Sequence, residues 1–221
     1  MSQIKLKHSG GNGVIIAAPS SNPAADRTLL LPSDGDGTIL TTNSAVGSWI
    51  KLSTTTITSN VSDVTFTNSI TDAFDTYKMY AIAFSQLQPT NDGVELRMRI
   101  QEGGSTDTSN NYRARVHSMD GDIDNNLNRD HLRLCKDALG NATSGSAVLE
   151  DTNGIIYMTN FVANREWRYY GFHMFGTSVQ DRNFDTFGGG FAGTNATTGV
   201  VILPESGSWA SGTLTLYGIE L

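Results

Sequence analysis

Residues 94–101 read VELRMRIQ, and this stretch decides the fold class because apolar and polar side chains alternate along it without a break. The apolar positions are Val94, Leu96, Met98 and Ile100, and the polar positions are Glu95, Arg97, Arg99 and Gln101. Successive side chains of a β-strand point to opposite faces of a sheet, so the pattern predicts a strand with one face in the core and the other in solvent.

Short apolar runs of the same kind recur through the rest of the chain, and most of them end at Gly, Asn, Asp or Pro. They cover residues 64–67, 77–84, 112–118, 147–149, 155–162, 167–175, 199–203 and 213–219. Irregularly spaced strands with turn residues between them are typical of a sandwich, barrel or jelly roll. We therefore predict an all-β chain with a jelly-roll-like β-sandwich over residues 53–221.

Two connections carry more specific predictions. The sequence QPTNDG at 88–93 contains an Asn-Asp-Gly turn signal, which predicts a hairpin between the strands on either side of it. Residues 126–137 (NLNRDHLRLCKD) fit either a short helix or a strand, and we predict a strand.

The first fifty residues differ from the rest, because their apolar runs are very short and dense turn residues separate them. Strands of this length do not enclose a core of their own, and an isolated hairpin is marginal in water. We predict that residues 1–52 form a segment that anchors the protein and drives its oligomerisation. The apolar residues expected to do so are Ile4, Leu6, Val14, Ile16, Leu29, Leu31, Ile39 and Leu40.

Composition excludes several functional classes. A net charge of −7 argues against a surface for nucleic acid or anionic membrane, since both favour clustered Lys and Arg. The opening residues lack the apolar region of a secretory signal, and no run is long enough to span a bilayer. The single cysteine, Cys135, excludes an intrachain disulfide and is read as an inert, partly buried thiol.

Both ends of the chain and one internal segment resemble a known group of proteins. The opening sequence IKLKHSGGNGVIIAAPSSNPAADRTLLLPSDGDGTILTT resembles the N-terminal module of many structural proteins of tailed bacteriophages, especially marine, cyanophage-like ones. The closing SGTLTLYGI, and FDTYK at 74–78, resemble shorter motifs of the same group. The resemblance implies a virion component, assembled in the host cytoplasm, that displays a β-sandwich as a homotrimeric tail fibre, spike or capsid decoration.

Metal sites and catalytic sites are weakly indicated. The alternating acids Asp120, Asp122 and Asp124 resemble the first half of a calcium loop, but the glycine and glutamate that complete such a loop are missing, and an Asx-rich turn is favoured. The four histidines lack the short spacing of a zinc site. Acidic pairs such as Glu150 and Asp151, and Asp181 and Asp185, occur commonly by chance. We predict no catalytic residues, metal or cofactor, and no enzymatic activity.

The aromatic run WRYYGFHMF at 167–175 is the best candidate for ligand binding. Trp and Tyr rings stack on the apolar faces of sugars, which makes Trp167, Tyr169 and Trp209 possible glycan contacts. Apolar residues nevertheless occur on both faces of this run, and that pattern favours a strand buried on both sides, by the core and by a neighbouring subunit. The glycine-rich stretch GGGFAG at 188–193 is read as a flexible or closely packed loop.

Two functions follow from these observations. The first is a virion structural subunit that attaches through its N-terminal segment to other virion proteins of the tail or capsid, associates as a homotrimer, and displays its β domain for adhesion to the host surface. The choice of a trimer rests on the resemblance. The alternative is a module that binds or degrades host-surface glycans.

Overall fold

The fold is taken from a computed structural model, which describes residues 3–7, 10–11, 13–17, 49–67, 76–119, 121–141, 150–159, 161, 166–177, 182–193 and 195–220. For residues 3–7 and 13–17 the description covers the backbone alone. Contacts along the chain divide it into two compact units, Met1–Thr41 and Thr42–Leu221.

The first unit contains an antiparallel hairpin of β1 (Gln3–Lys7) and β2 (Gly13–Ala17). Its register places Ile4 opposite Ile16 and Leu6 opposite Val14, so these four positions share one face of the hairpin. Gly11 lies between the strands with a φ of 100°, a conformation that glycine adopts more easily than other residues.

The second unit is built around an eight-stranded antiparallel sheet in the order β3-β15-β5-β11-β12-β13-β8-β9. Its strands are β3 (Trp49–Ile57), β5 (Met79–Pro89), β8 (Tyr112–Ser118), β9 (Ile123–Arg129), β11 (Thr152–Thr159), β12 (Trp167–Gly176), β13 (Arg182–Phe191) and β15 (Trp209–Ile219). The second sheet has the order β10-β6-β14-β4, with β7 paired to the end of β6. Its strands are β4 (Val64–Thr67), β6 (Leu96–Glu102), β7 (Ser105–Thr106), β10 (Leu132–Arg133) and β14 (Thr197–Pro204).

The two sheets contribute to one hydrophobic core. The smaller sheet supplies Leu96, Met98 and Ile100 from β6, all fully buried, and the alternation in VELRMRIQ is thereby confirmed. The larger sheet supplies buried residues from its central strands, among them Ile82, Ile156, Trp167 and Leu216. Because the described elements are all strands and the two sheets pack over a shared core, the β-sandwich prediction is confirmed.

Most predicted strands are observed, with bounds that differ by a few residues. Residues 64–67 and 112–118 match their strands, and residues 126–137 contain parts of β9 and β10 rather than a helix. The predicted strand at 147–149 lies outside the described residues.

The hairpin predicted across residues 88–93 is wrong. β5 pairs with β15 and β11 in the larger sheet, whereas β6 pairs with β10 and β14 in the smaller one. The loop therefore crosses between the sheets, and it is held by the Thr90 N–H, which donates to the Ser208 carbonyl, and the Gly93 N–H, which donates to the Leu139 carbonyl. Gly93 keeps the positive φ that its turn signal implies.

Two further segments form strands although the sequence did not predict them as strands. Residues 49–52, assigned above to the N-terminal segment, begin the edge strand β3, which pairs with β15. The glycine run at 188–190, read as a loop, lies inside β13. A Cβ on Gly189 would come within 2.0 Å of the Arg113 carbonyl oxygen, so close packing against β8 explains that glycine.

Candidate association surface

Strand β12 separates its side chains into a buried set and an exposed set. Trp167, Tyr169 and His173 face the core, whereas Tyr170 and Phe172 face outwards and remain about half exposed. The prediction that this strand is buried on both sides therefore holds for only one face within a single chain. The outward face is the unusual feature, because large apolar side chains normally occupy the interior.

The outward side chains of neighbouring strands continue this apolar surface. Register pairs Tyr170 with Tyr157 and Phe172 with Ile155 on β11, while Met174 pairs with Phe184 on β13. We use the term apolar patch for Trp49, Ile155, Tyr157, Tyr170, Phe172, Met174, Phe184 and Tyr217.

Ring contacts link neighbouring members of the patch in two groups. Trp49 meets Tyr217 and Tyr157 edge to face, with centroids 5.5 and 5.9 Å apart. Tyr157 stacks on Tyr170 at 5.1 Å, and Phe172 lies 5.9 Å from Phe184. These separations are those of favourable aromatic pairs, so the patch is an organised surface rather than scattered exposed residues.

The exposed area of the patch falls in the range of the largest apolar patch on a typical monomer. Trp49 is 44% exposed, Tyr170 50%, Phe172 45% and Met174 58%. With roughly 200 Å² for each large side chain, these four alone present roughly 400 Å² to solvent. Apolar patches of this size on monomers commonly mark interaction sites, and a standard interface takes roughly 800 Å² from each partner. Among the residues that the structure describes, no element covers these four side chains.

Charged side chains border the patch on the strands beside it. Arg113 and Arg115 are exposed on β8, and the Nε of Arg115 donates to Asn125 Oδ1 at 2.6 Å. Arg168, 63% exposed, pairs with Glu166 at 2.7 Å. An aromatic and methionine centre with an arginine border is the composition typical of protein–protein interfaces.

The outer face of the smaller sheet has a different character. Arg97 Nη2 lies 2.7 Å from both Glu95 Oε2 and Glu205 Oε1. Arg133 contacts Glu95 at 3.2 Å, and Arg99 contacts Asp130 at 2.5 Å. Burial opposes ionisation of Glu95, but His131, Arg97 and Arg133 lower its pKa to about 2.

The three aromatic residues predicted as glycan contacts lie in the core. Trp167, Tyr169 and Trp209 are at most 2% exposed. Trp209 donates its Nε1 hydrogen to the Ile202 carbonyl at 3.2 Å, while Trp167 stacks on Tyr169 with centroids 5.6 Å apart. None of these rings presents a face to solvent, and we therefore discard the proposed sugar platform.

A buried pair of polar residues lies beside these rings. His173 and Asp185, both fully buried, face each other at 3.9 Å between Nε2 and Oδ2, which is beyond hydrogen-bond distance. His173 Nδ1 bonds to Thr152 Oγ1 at 2.8 Å, and Asp185 Oδ2 accepts from the Lys136 N–H at 2.6 Å. Burial lowers the pKa of His173, although Asp185 opposes that change. The group is closed to solvent and offers no access to a substrate.

The acidic residues at 122 and 124 take part in ion pairs, and Cys135 lies in the core. Asp122 pairs with Lys136 Nζ at 2.6 Å and Asp124 with Arg133 Nη1 at 2.5 Å, while Asp120 lies outside the described residues. Within the described ranges, no group of three or more His, Cys, Asp or Glu residues could hold a metal ion. Cys135 is fully buried, and burial raises the pKa of its thiol to about 12.

The predicted anchoring residues lie in the first unit. Ile4, Leu6, Val14 and Ile16 belong to the strands of the hairpin, and Leu29, Leu31, Ile39 and Leu40 lie outside the described residues. The apolar residues at both alternating sets of positions in 167–175 predicted a second face covered by a neighbouring subunit. The extension of the apolar patch onto β3, β11, β13 and β15 was not predicted.

Comparison of the chain with protein-family models, with curated proteins and with solved structures gives no match. No helix within the described ranges is long and apolar enough to cross a membrane.

Proposed function

We propose that this protein is a structural subunit of a tailed-bacteriophage virion that associates with copies of itself, as a homotrimer, through the apolar patch. The single observation that carries the proposal is the connected row of exposed rings on the eight-stranded sheet. Water contact with this surface is unfavourable, and a second copy of the chain removes it without any other partner. The virion context and the three-fold state rest on the sequence resemblance.

The two units suggest a division of roles within that subunit. The N-terminal unit, with the predicted anchoring residues of β1 and β2, attaches to other virion proteins of the tail or capsid. The oligomerisation that was also expected of residues 1–52 is reassigned to the apolar patch. The sandwich unit associates through the patch and displays its remaining surface for adhesion to the host.

Association is tested by measuring the mass of the full chain in solution by light scattering. We expect a trimer, and a trimer that dissociates when Phe172→Asp introduces a charge into the patch centre. Leu203→Asp is the matched control, because residue 203 precedes Pro204 on the outward side of β14 in the other sheet. A monomeric full chain, or a Phe172→Asp variant that remains trimeric, would overturn the proposed association.

Attachment is tested separately by deleting residues 1–41, the first unit, so that β3 remains intact. The truncated protein is expected to keep the circular dichroism spectrum of a β-sandwich and to be missing from purified particles, whereas the full chain is detected on them by antibody labelling. Normal incorporation of the truncated protein would contradict the anchoring role.

A further inference from the structure

A polar cleft opens on the larger sheet where β3, β15, β5 and the start of β11 lie side by side. It has a volume of about 370 Å³, and six polar residues line it: Thr56, Gln86, Gln88, Asp151, Ser211 and Thr213. They offer two primary amides, three hydroxyls and one carboxylate. The volume falls at the lower end of the range for small-ligand sites.

The cleft exists because three strands lose their regular register at the same place. The pairing of β5 with β15 shifts on both sides of Ser211, and the pairing of β5 with β11 shifts between Thr152 and Gly154. Gln86 lies at this irregularity with a φ of 51°, which is uncommon for a residue other than glycine. Bulges of this kind often occur next to functional sites, where they redirect a side chain.

Side chains from two neighbouring strands hold the backbone of Gln86 in place. Its N–H donates to Asn153 Oδ1 at 2.9 Å, and its carbonyl accepts from Ser211 Oγ at 3.5 Å. Asn153 Nδ2 in turn donates to Asp151 Oδ1 at 3.2 Å. The backbone is thus held in place, and the Gln86 side chain stays exposed beside the cleft, where its amide is accessible to a ligand.

A second, smaller cleft of about 190 Å³ meets the first at Asp151. Its lining includes Asn153, Met174, Arg182 and Asn183. The two clefts share only Asp151, and Met174 of the smaller cleft belongs to the apolar patch, so the ligand site is assigned to the larger cleft alone, where Ile57 adds an apolar side chain to the amides and hydroxyls. Such a surface suits a ligand that has many hydroxyl groups and also apolar C–H faces.

We propose that the larger cleft binds a neutral saccharide of one or a few rings. A sugar hydroxyl both donates and accepts hydrogen bonds, as do the amide and hydroxyl side chains of the lining. Asp151, the single charged residue of the larger cleft, disfavours an anion there. The site is distinct from the discarded aromatic one and does not depend on the association proposed above.

The test is a glycan array with the full chain, followed by nuclear magnetic resonance titration with the strongest binder and with maltose, lactose and diacetylchitobiose. We expect at least one saccharide to shift the side-chain amide signals of Gln86 and Gln88. Gln86→Gly, which tolerates the positive φ but lacks the amide, should weaken binding about tenfold. Gln86→Asn keeps an amide and also tolerates that φ, so it should lose less.

Gln101→Ala removes an amide from the other sheet and serves as the control, with binding expected within about twofold of the parent chain. The association-deficient Phe172→Asp variant should bind as the parent chain does, which separates this site from the apolar patch. Failure of every array saccharide and every disaccharide to bind at about 20 mM would overturn the proposal. Binding that Gln86→Gly and Asp151→Ala both leave unchanged would overturn it as well.

Discussion

The outer face of the five-stranded sheet carries charged side chains that pair with one another, whereas the outer face of the eight-stranded sheet carries neighbouring aromatic rings in edge-to-face, tilted and stacked contacts. On the first face, Arg97, Arg133 and Glu95 satisfy their charges within the chain. On the second face, Trp49, Tyr170 and Phe172 leave about half of their surface in water.

The two faces therefore differ in how much free energy each gains when a partner covers it. A face of paired charges gains little free energy from contact with a partner, because burial would remove the hydration water of the charged groups. A face of exposed rings gains free energy whenever a partner covers it. The contrast therefore supports the proposal that association uses the eight-stranded sheet, and the predictions below test that contrast.

The largest expected effect is a difference in stability between alanine substitutions of two adjacent tyrosines in β12. Tyr169→Ala removes a buried ring and should lower the free energy of unfolding by about 3 kcal/mol, as for other core aromatic truncations. Tyr170→Ala removes a ring from the patch and should change the stability of the single chain by less than about 1 kcal/mol. Urea unfolding in the Phe172→Asp background measures both without interference from association.

Tyr169→Phe is the control for this pair, because its buried hydroxyl has no hydrogen-bond partner among the described residues. Loss of an unpaired buried hydroxyl should leave stability unchanged or raise it. If Tyr170→Ala proved as destabilising as Tyr169→Ala, the outer face would be part of the folding core and the contrast between the two outer faces would fail.

The next effect concerns the paired face. Glu95→Gln removes the carboxylate that Arg97 and Arg133 share, leaving two partly buried guanidinium groups with one fewer acceptor. We expect a loss of about 1 to 2 kcal/mol at pH 7. Because the Glu95 pKa is lowered to about 2 from 4.5, the ionised form is favoured by folding, and its contribution is lost as pH falls through that window.

Urea unfolding of the parent chain and of Glu95→Gln at several pH values checks this prediction. The difference in stability between them should be largest at pH 7 and should shrink as pH falls from 4.5 towards 2. A difference that stays constant over this range would mean that Glu95 contributes through packing rather than charge.

Much of this fold, but only part of its surface chemistry, follows from the sequence. Alternation in residues 94–101 predicted both the strand and its buried face, since one set of positions is apolar and the other polar. The Asn-Asp-Gly signal at 91–93 predicted a change of chain direction, but turn chemistry does not say in which sheet the next strand pairs. β3 was not predicted as a strand because it is rich in Ser and Thr, although Thr is common in strands.

The candidate site was harder to predict for a related reason. In residues 167–175 both sets of alternating positions are apolar, so periodicity defines two faces without saying which one packs against the other sheet. Trp167 and Tyr169 attracted the ligand-binding hypothesis, yet their neighbours Tyr170 and Phe172 are the exposed residues. Pairing with Tyr157 and Phe184, which decides the extent of the patch, is long-range information that one sequence does not contain.

A smaller effect is the pH dependence of stability that arises from His173, which lies in the interior rather than on either outer face. His173 is buried as the neutral imidazole with a lowered pKa, so the unfolded chain takes up its proton first as pH falls below 6.5. Stability should then fall by up to about 1.4 kcal/mol for each pH unit. His173→Gln, which keeps a side chain able to bond to Thr152, should flatten this dependence between pH 6.5 and pH 5, as unfolding midpoints would show. An unchanged slope in that variant would assign the dependence to another group.

The smallest expected effect is the response to salt, and it compares the two outer faces directly. Raising sodium chloride from about 0.05 to about 1 M screens partly exposed ion pairs, so the contribution of Glu95, Arg97 and Glu205 should fall by a few tenths of a kcal/mol. Association through the apolar patch should be unchanged or slightly stronger, because burial of apolar surface does not depend on charge. Sedimentation equilibrium at the two salt concentrations measures the second quantity. If association weakened more than about tenfold in high salt, the arginines at the border of the patch would hold the copies together, and the contrast between a charged face and an apolar one would no longer explain assembly.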